Sequence, residues 1–187
     1  MMLFEQVSRP FGFLFIRGIK GKYLYDWFLP ALLTTLTIIL ICNSNITTYS
    51  KINDSLVNGI VGFISTLPGF YIAALAAVVA FQNNILDEGL DGTFGKRPYV
   101  KVNAINENRE KGTKKQYLTR RHFLSSMFAF LTAESIVITM LNKLSPLFEQ
   151  YNNVMVVYIV VMLFSLWQLI VVTLCGLYYL GERLHVK

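Results

Sequence analysis

The sequence predicts an all-α polytopic membrane protein, four transmembrane helices with a small subdomain in one connecting loop. Three observations carry that prediction. Of the 187 residues 54% are apolar, and the mean hydropathy is +0.49, with charge confined to a few blocks; that balance is membrane-like rather than globular. Four apolar stretches, 27–43, 56–82, 122–141 and 154–181, approach or exceed the ~20 residues that cross a ~30 Å hydrocarbon core. When the chain is threaded through those stretches, fifteen of its seventeen Lys and Arg residues fall on one side. Because short cytoplasmic segments retain Lys and Arg during insertion, both termini and the second loop belong in the cytoplasm, and 44–55 and 142–153 lie outside. The expected location is a bacterial inner (plasma) membrane. The net charge of +6 follows from this bias beside anionic headgroups and does not by itself call for a nucleic-acid partner.

Residues 1–26 place Phe4, Val7, Phe11, Leu14, Phe15 and Ile19 among Arg9, Arg17, Lys20 and Lys22, the composition of a cytoplasmic segment lying at the interface. Pro10, Gly12, Gly18 and Gly21 break helix continuity there. Tyr23, Tyr25 and Trp27 then mark the headgroup boundary. The first span ends in Cys42-Asn43-Ser44-Asn45 without a small-residue cleavage site, so it is expected to stay attached. Cys42 and Cys175 sit at depths roughly 20 Å apart, too far for a disulfide. The sequons at Asn45 and Asn53 read as chance matches in a short external loop.

In the second span Asn58, Gly62, Ser65, Gly69, Ala73, Ala76 and Ala80 recur at helical spacing. In lipid, helices associate by van der Waals contact, which such a face promotes. It suits an intramolecular seam, a subunit interface or a pore wall. Pro68 falls near the middle of that helix, where a missing amide donor makes a kink and a candidate hinge.

The third span carries Thr132, Ser135, Thr139 and Asn142 on one face and Glu134 near the bilayer centre. An intramembrane carboxylate costs about 3 kcal/mol on insertion scales, so it requires a partner, a proton or water. Gln168 lies at similar depth in the fourth span, and its amide or the hydroxyls of Thr34, Thr35 and Thr37 are the expected partners. Glu134 is either packing glue or a functional site. The fourth span, about 28 residues long, is expected to tilt, before a short cytoplasmic tail, 182–187. His122 and His185 read as interfacial residues, since no group with ligand spacing accompanies them.

The loop 83–121 is the one connection large enough to present its own surface, and it is the expected partner-docking site. It holds nine basic residues, Lys96, Arg97, Lys101, Arg109, Lys111, Lys114, Lys115, Arg120 and Arg121, against five acidic ones. That charge suits headgroups or an acidic protein surface; direct nucleic-acid binding is not expected. Residues 98–105 read as a strand that can return through 116–118 as a hairpin. Gly89, Gly92, Gly95 and Lys96 lack the Gly-Lys-Ser/Thr of a phosphate loop, because Arg97 and Pro98 follow Lys96. No catalytic or metal motif occurs in the chain, so neither an enzymatic role nor a cofactor is expected.

Four spans with both ends inside, a compact basic loop 83–121 and almost no external mass resemble KwaA, the membrane subunit of Kiwa anti-phage defence systems. The resemblance is architectural and carries no site residues. It implies an oligomeric inner-membrane sensor, tetrameric in the family, that responds to phage attack and recruits a cytoplasmic DNA-binding partner. Beside that expectation of a non-enzymatic sensor or scaffold stand a small ion channel or proton-coupled transporter using Glu134, and a membrane-disrupting or immunity-type protein.

Overall fold

The computed structural model describes residues 8–19, 21–43, 58–80, 84–90, 97–105, 111–147 and 151–183. A 3-10 helix, Arg9–Phe15, comes first. Helix α1 runs Leu24–Asn43, with π-helical geometry over Leu24–Phe28. Helices α2 (Asn58–Ile64) and α3 (Leu67–Ala80) follow, then the short α4 (Asn84–Asp87), strands β1 (Tyr99–Ile105) and β2 (Lys111–Tyr117), helix α5 (Arg120–Lys143), a 3-10 turn Ser145–Leu147, and α6 (Asn152–Arg183). Four helical segments are long and apolar enough to cross a membrane: Leu24–Asn43, Gly59–Ala80, Arg120–Lys143 and Asn153–Gly181. The first helix thus begins three residues before the predicted edge at Trp27 and takes Asp26 into the span.

Proline explains two departures from regular helix. Pro30 has no N–H, so the Asp26 carbonyl one turn earlier lacks its helical donor; the same stretch widens, and the Leu29 amide bonds back to the Leu24 carbonyl. Pro68 likewise offers no donor to Ile64, and the helix opens into a turn at Ser65 and Thr66. There Ser65 Oγ donates to the Gly62 carbonyl at 2.7 Å and Thr66 Oγ1 to the Phe63 carbonyl at 2.8 Å. These hydroxyls satisfy backbone oxygens that no water would reach in hydrocarbon.

The chain forms two compact units. The first comprises Met1–Lys22 and Ala73–Phe130. Phe13, fully buried, stacks on Phe130 (centroids 5.4 Å apart, planes 24° apart) and lies 5.7 Å from Phe123. The Lys22 ammonium stands 3.9 Å from the Phe13 ring centroid, a cation–π contact that helps a lysine tolerate burial. Strands β1 and β2 pair antiparallel from Tyr99↔Tyr117 to Ile105↔Lys111. A lone hairpin is marginal, and this one is extended at its base. Arg17 pairs with Tyr99 through two backbone hydrogen bonds (3.4 and 3.2 Å), and the Leu90 amide donates to the Leu118 carbonyl at 3.2 Å. Gly18 makes the close approach possible: its φ is +94°, and a Cβ there would stand 3.2 Å from Pro98 Cα.

The second unit comprises Tyr23–Ile72 and Leu131–Lys187. Along α6 the buried residues Met155, Tyr158, Ile159, Met162, Leu163, Leu166, Leu169 and Val172 recur every three or four positions, one apolar stripe facing inward. Leu131 and Ile138 continue the buried face of α5. Helix α1 packs on α6, with Trp27 and Phe164 ring centroids 6.0 Å apart. Its buried positions Asp26, Pro30 and Thr34 are spaced by four, so its inner stripe is largely polar.

Candidate functional site

The arrangement of the second unit brings two carboxyl groups into the protein interior. Glu134 falls on the same face of α5 as Leu131 and Ile138, at helical steps of three and four, and is 6% exposed. Asp26 on α1 is 1% exposed, and the two lie near enough for their charges to interact. Neither Glu134 Oε2 nor Asp26 Oδ1 has a hydrogen-bond partner among the described residues. Tyr71 on α3 lies near Glu134, and Cys175 and Tyr25 lie near Asp26. The site is therefore a buried polar cluster in which Glu134 Oε2 lacks a donor among the described residues.

Gln168 holds the cluster together in a way the sequence did not indicate. Its Nε2 donates to the Asp26 backbone carbonyl at 2.8 Å, the oxygen that Pro30 leaves without a helical donor. One of its two amide hydrogens thus serves backbone, and none reaches Glu134 Oε2. The Thr34, Thr35 and Thr37 hydroxyls are committed as well, donating to the Pro30, Ala31 and Leu33 carbonyls of their own helix at 2.7 to 2.8 Å. Thr37 Oγ1 also accepts from Trp167 Nε1 at 3.0 Å, fastening α1 to α6. Ser135, fully buried, donates to Thr132, and Thr139 donates to Ser135, so both serve their own helix rather than a partner helix. Thr173 Oγ1 donates to Leu169 at 2.6 Å, which leaves the Tyr71 hydroxyl to donate to Thr173 at 2.6 Å.

Along the small-residue face, Gly62, Ser65, Gly69, Ala73, Ala76 and Ala80 are exposed, and a Cβ built at Gly62 or Gly69 meets nothing within 4 Å. The described residues therefore provide no intramolecular seam for that stripe; the Asn58 side chain lies outside them.

The basic loop contains a clamp that charge counting did not separate from its other cations. Arg121 forms a two-pronged pair with Asp87, Nε to Oδ1 at 2.7 Å and Nη2 to Oδ2 at 3.0 Å. Its Nη1 also donates to the Val78 and Val79 carbonyls at 2.8 and 3.2 Å, in the last turn of α3. One guanidinium thus joins the end of α3, the α4 turn and the start of α5. These hydrogen bonds hold the Asp87 carboxyl below the usual carboxylate range. Arg120 pairs with Glu88 at 3.2 Å. Both arginines are therefore engaged within the loop, whereas Arg97 and Lys115 are exposed, the latter 5.0 Å from the Tyr99 ring centroid. Lys96 and Arg109 lie outside the described residues, as do the side chains of Lys101, Lys111 and Lys114.

Among the described residues no group of three or more His, Cys, Asp or Glu side chains is arranged to hold a metal. Comparison with family models, curated proteins and solved structures yielded no match to this chain. Its own residues carry the functional reading. Asp26 and Asp87 are the site residues that the sequence reading passed over. The one local signal touching Asp26 was Pro30 four residues later, which leaves the Asp26 carbonyl without a helical donor once the helix runs through it.

Proposed function

We propose that the protein is a non-enzymatic membrane sensor or scaffold in anti-phage defence. It self-associates in the inner membrane and recruits or regulates a cytoplasmic partner, of the DNA-binding kind that the KwaA resemblance implies. The observation that carries the reading is the first unit: the basic loop and the N-terminal segment fold together around Phe13, with a hairpin as their most prominent feature. A mere connector between two spans has no need of such a unit. The concentration of Lys and Arg on that side supports its cytoplasmic placement. The Arg121 clamp supplies a means of coupling, because displacement of α3 pulls directly on the loop. The test is co-purification from native membranes of the product of the adjacent gene. Capture by the wild-type chain, lost when 99–117 is replaced by a short Gly-Ser linker while insertion is normal, supports the proposal; equal capture by both chains, or by neither, removes it.

A small ion channel or proton-coupled transporter is the second reading, favoured by the buried Asp26 and Glu134 carboxyls. Liposome flux that Glu134→Gln abolishes supports it, and absence of flux in the wild type eliminates it.

A further inference from the structure

We infer that Glu134 is a reversible proton-binding site within the membrane-embedded unit, and that release of its proton coincides with opening of the helix packing around it. The inference rests on the geometry of the carboxyl and requires neither partner recruitment nor transport. Glu134 is buried on the inner face of α5, and its Oε2 has no hydrogen-bond donor among the described residues. An ionised carboxylate needs such donors, and burial without one favours the neutral acid.

The groups facing it sharpen the argument. From α1 comes Asp26, a second acid close enough to repel it, with Tyr25 adjacent in the chain. From α3 comes Tyr71, whose hydroxyl donates to Thr173. The α6 residues beside Asp26 are Cys175 and Gln168, the latter committed to the Asp26 carbonyl. On α5 itself Ser135 donates to Thr132. None of these donors reaches Glu134 Oε2. Loading breaks one O–H bond of a hydronium ion and forms one on the carboxyl, leaving water. Release leaves a carboxylate that the closed packing does not solvate, so water must reach Oε2 at the same moment.

Infrared spectroscopy of the full chain in lipid nanodiscs, titrated from about pH 5 to about pH 10, tests this directly. The expected result is a carbonyl band of a buried carboxylic acid that Glu134→Gln removes, that Asp26→Asn retains, and that disappears reversibly as the pH rises. If Glu134→Gln does not assemble, Glu134→Asp keeps a carboxyl and is expected to shift the band without abolishing it. A wild type with no such band overturns the inference, as does a band that survives in Glu134→Gln. A band that neither titrates nor shifts in D2O identifies permanent packing glue and also overturns it. So does a band that sodium displaces at constant pH, which identifies a metal-cation site.

Discussion

At the scale of single residues, the interior is organised by backbone oxygens that proline leaves open. Pro30 strips the Asp26 carbonyl of its donor, and Gln168 replaces that donor from another helix. Replacing Gln168 with Leu keeps the volume and removes the amide, so a buried carbonyl goes unsatisfied. The expected loss is about 1–3 kcal/mol of stability, read as a lower midpoint in detergent-mediated unfolding. An unchanged midpoint means that water or another donor reaches the Asp26 carbonyl. Asp87 gives a prediction of opposite character, because it lies at the surface. Its carboxyl is held below the usual range by Arg121, so its contribution is fully present above the unfolded-state value near pH 4 and is lost as the pH falls through the folded value. Hydrogen-exchange protection of Asn84–Asp87 is therefore expected to be flat from neutrality to about pH 5 and to collapse only in more acidic solution; in Asp87→Asn it is low throughout. Glu134 and Gln168 were visible in the sequence as polar residues in apolar runs. Their partners were not, because which donor meets which acceptor depends on helix rotation.

At the scale of elements, the break between α2 and α3 is the feature with a clear local cause. Pro68 removes one donor and crowds the preceding turn, and the chain opens two residues upstream. Pro68→Ala restores an amide at that position, so the two helices are expected to fuse, with slower exchange over 65–68. If this break transmits membrane disturbance to the loop, the fused helix also weakens the response while leaving insertion intact. The hairpin was legible as a strand over 98–105 returning through 116–118, although its second strand starts earlier, at Lys111. Its anchorage through Arg17 and Leu90 was not, since those pairings join residues remote in sequence. The Arg121 clamp was hidden for a related reason. In a run of nine basic residues, nothing local distinguishes the one whose guanidinium caps a helix terminus from those that face water.

At the scale of the whole molecule, four apolar helices define a multi-pass membrane protein, and the question left by the sequence is what covers the small-residue face. Gly62 and Gly69 have open space where a side chain would go, so Gly62→Leu and Gly69→Leu are compatible with the fold of one chain. If the stripe is a subunit interface, these substitutions lower the mass of the assembly measured by native mass spectrometry; if it faces only lipid, the mass is unchanged. The sequence by itself determined the number of spans and the segregation of basic charge, because hydrocarbon thickness and insertion read length, apolarity and Lys/Arg position directly. It also marked the hairpin and the break at Pro68, which arise from neighbouring residues. Only the tertiary structure decided that Asp26 enters the first helix and lies near Glu134, that Gln168 serves a carbonyl, that Arg121 bonds the last turn of α3, and that the small face is open among the described residues. Each of these depends on how helices rotate and meet across distances of tens to more than a hundred residues, information that no local period contains.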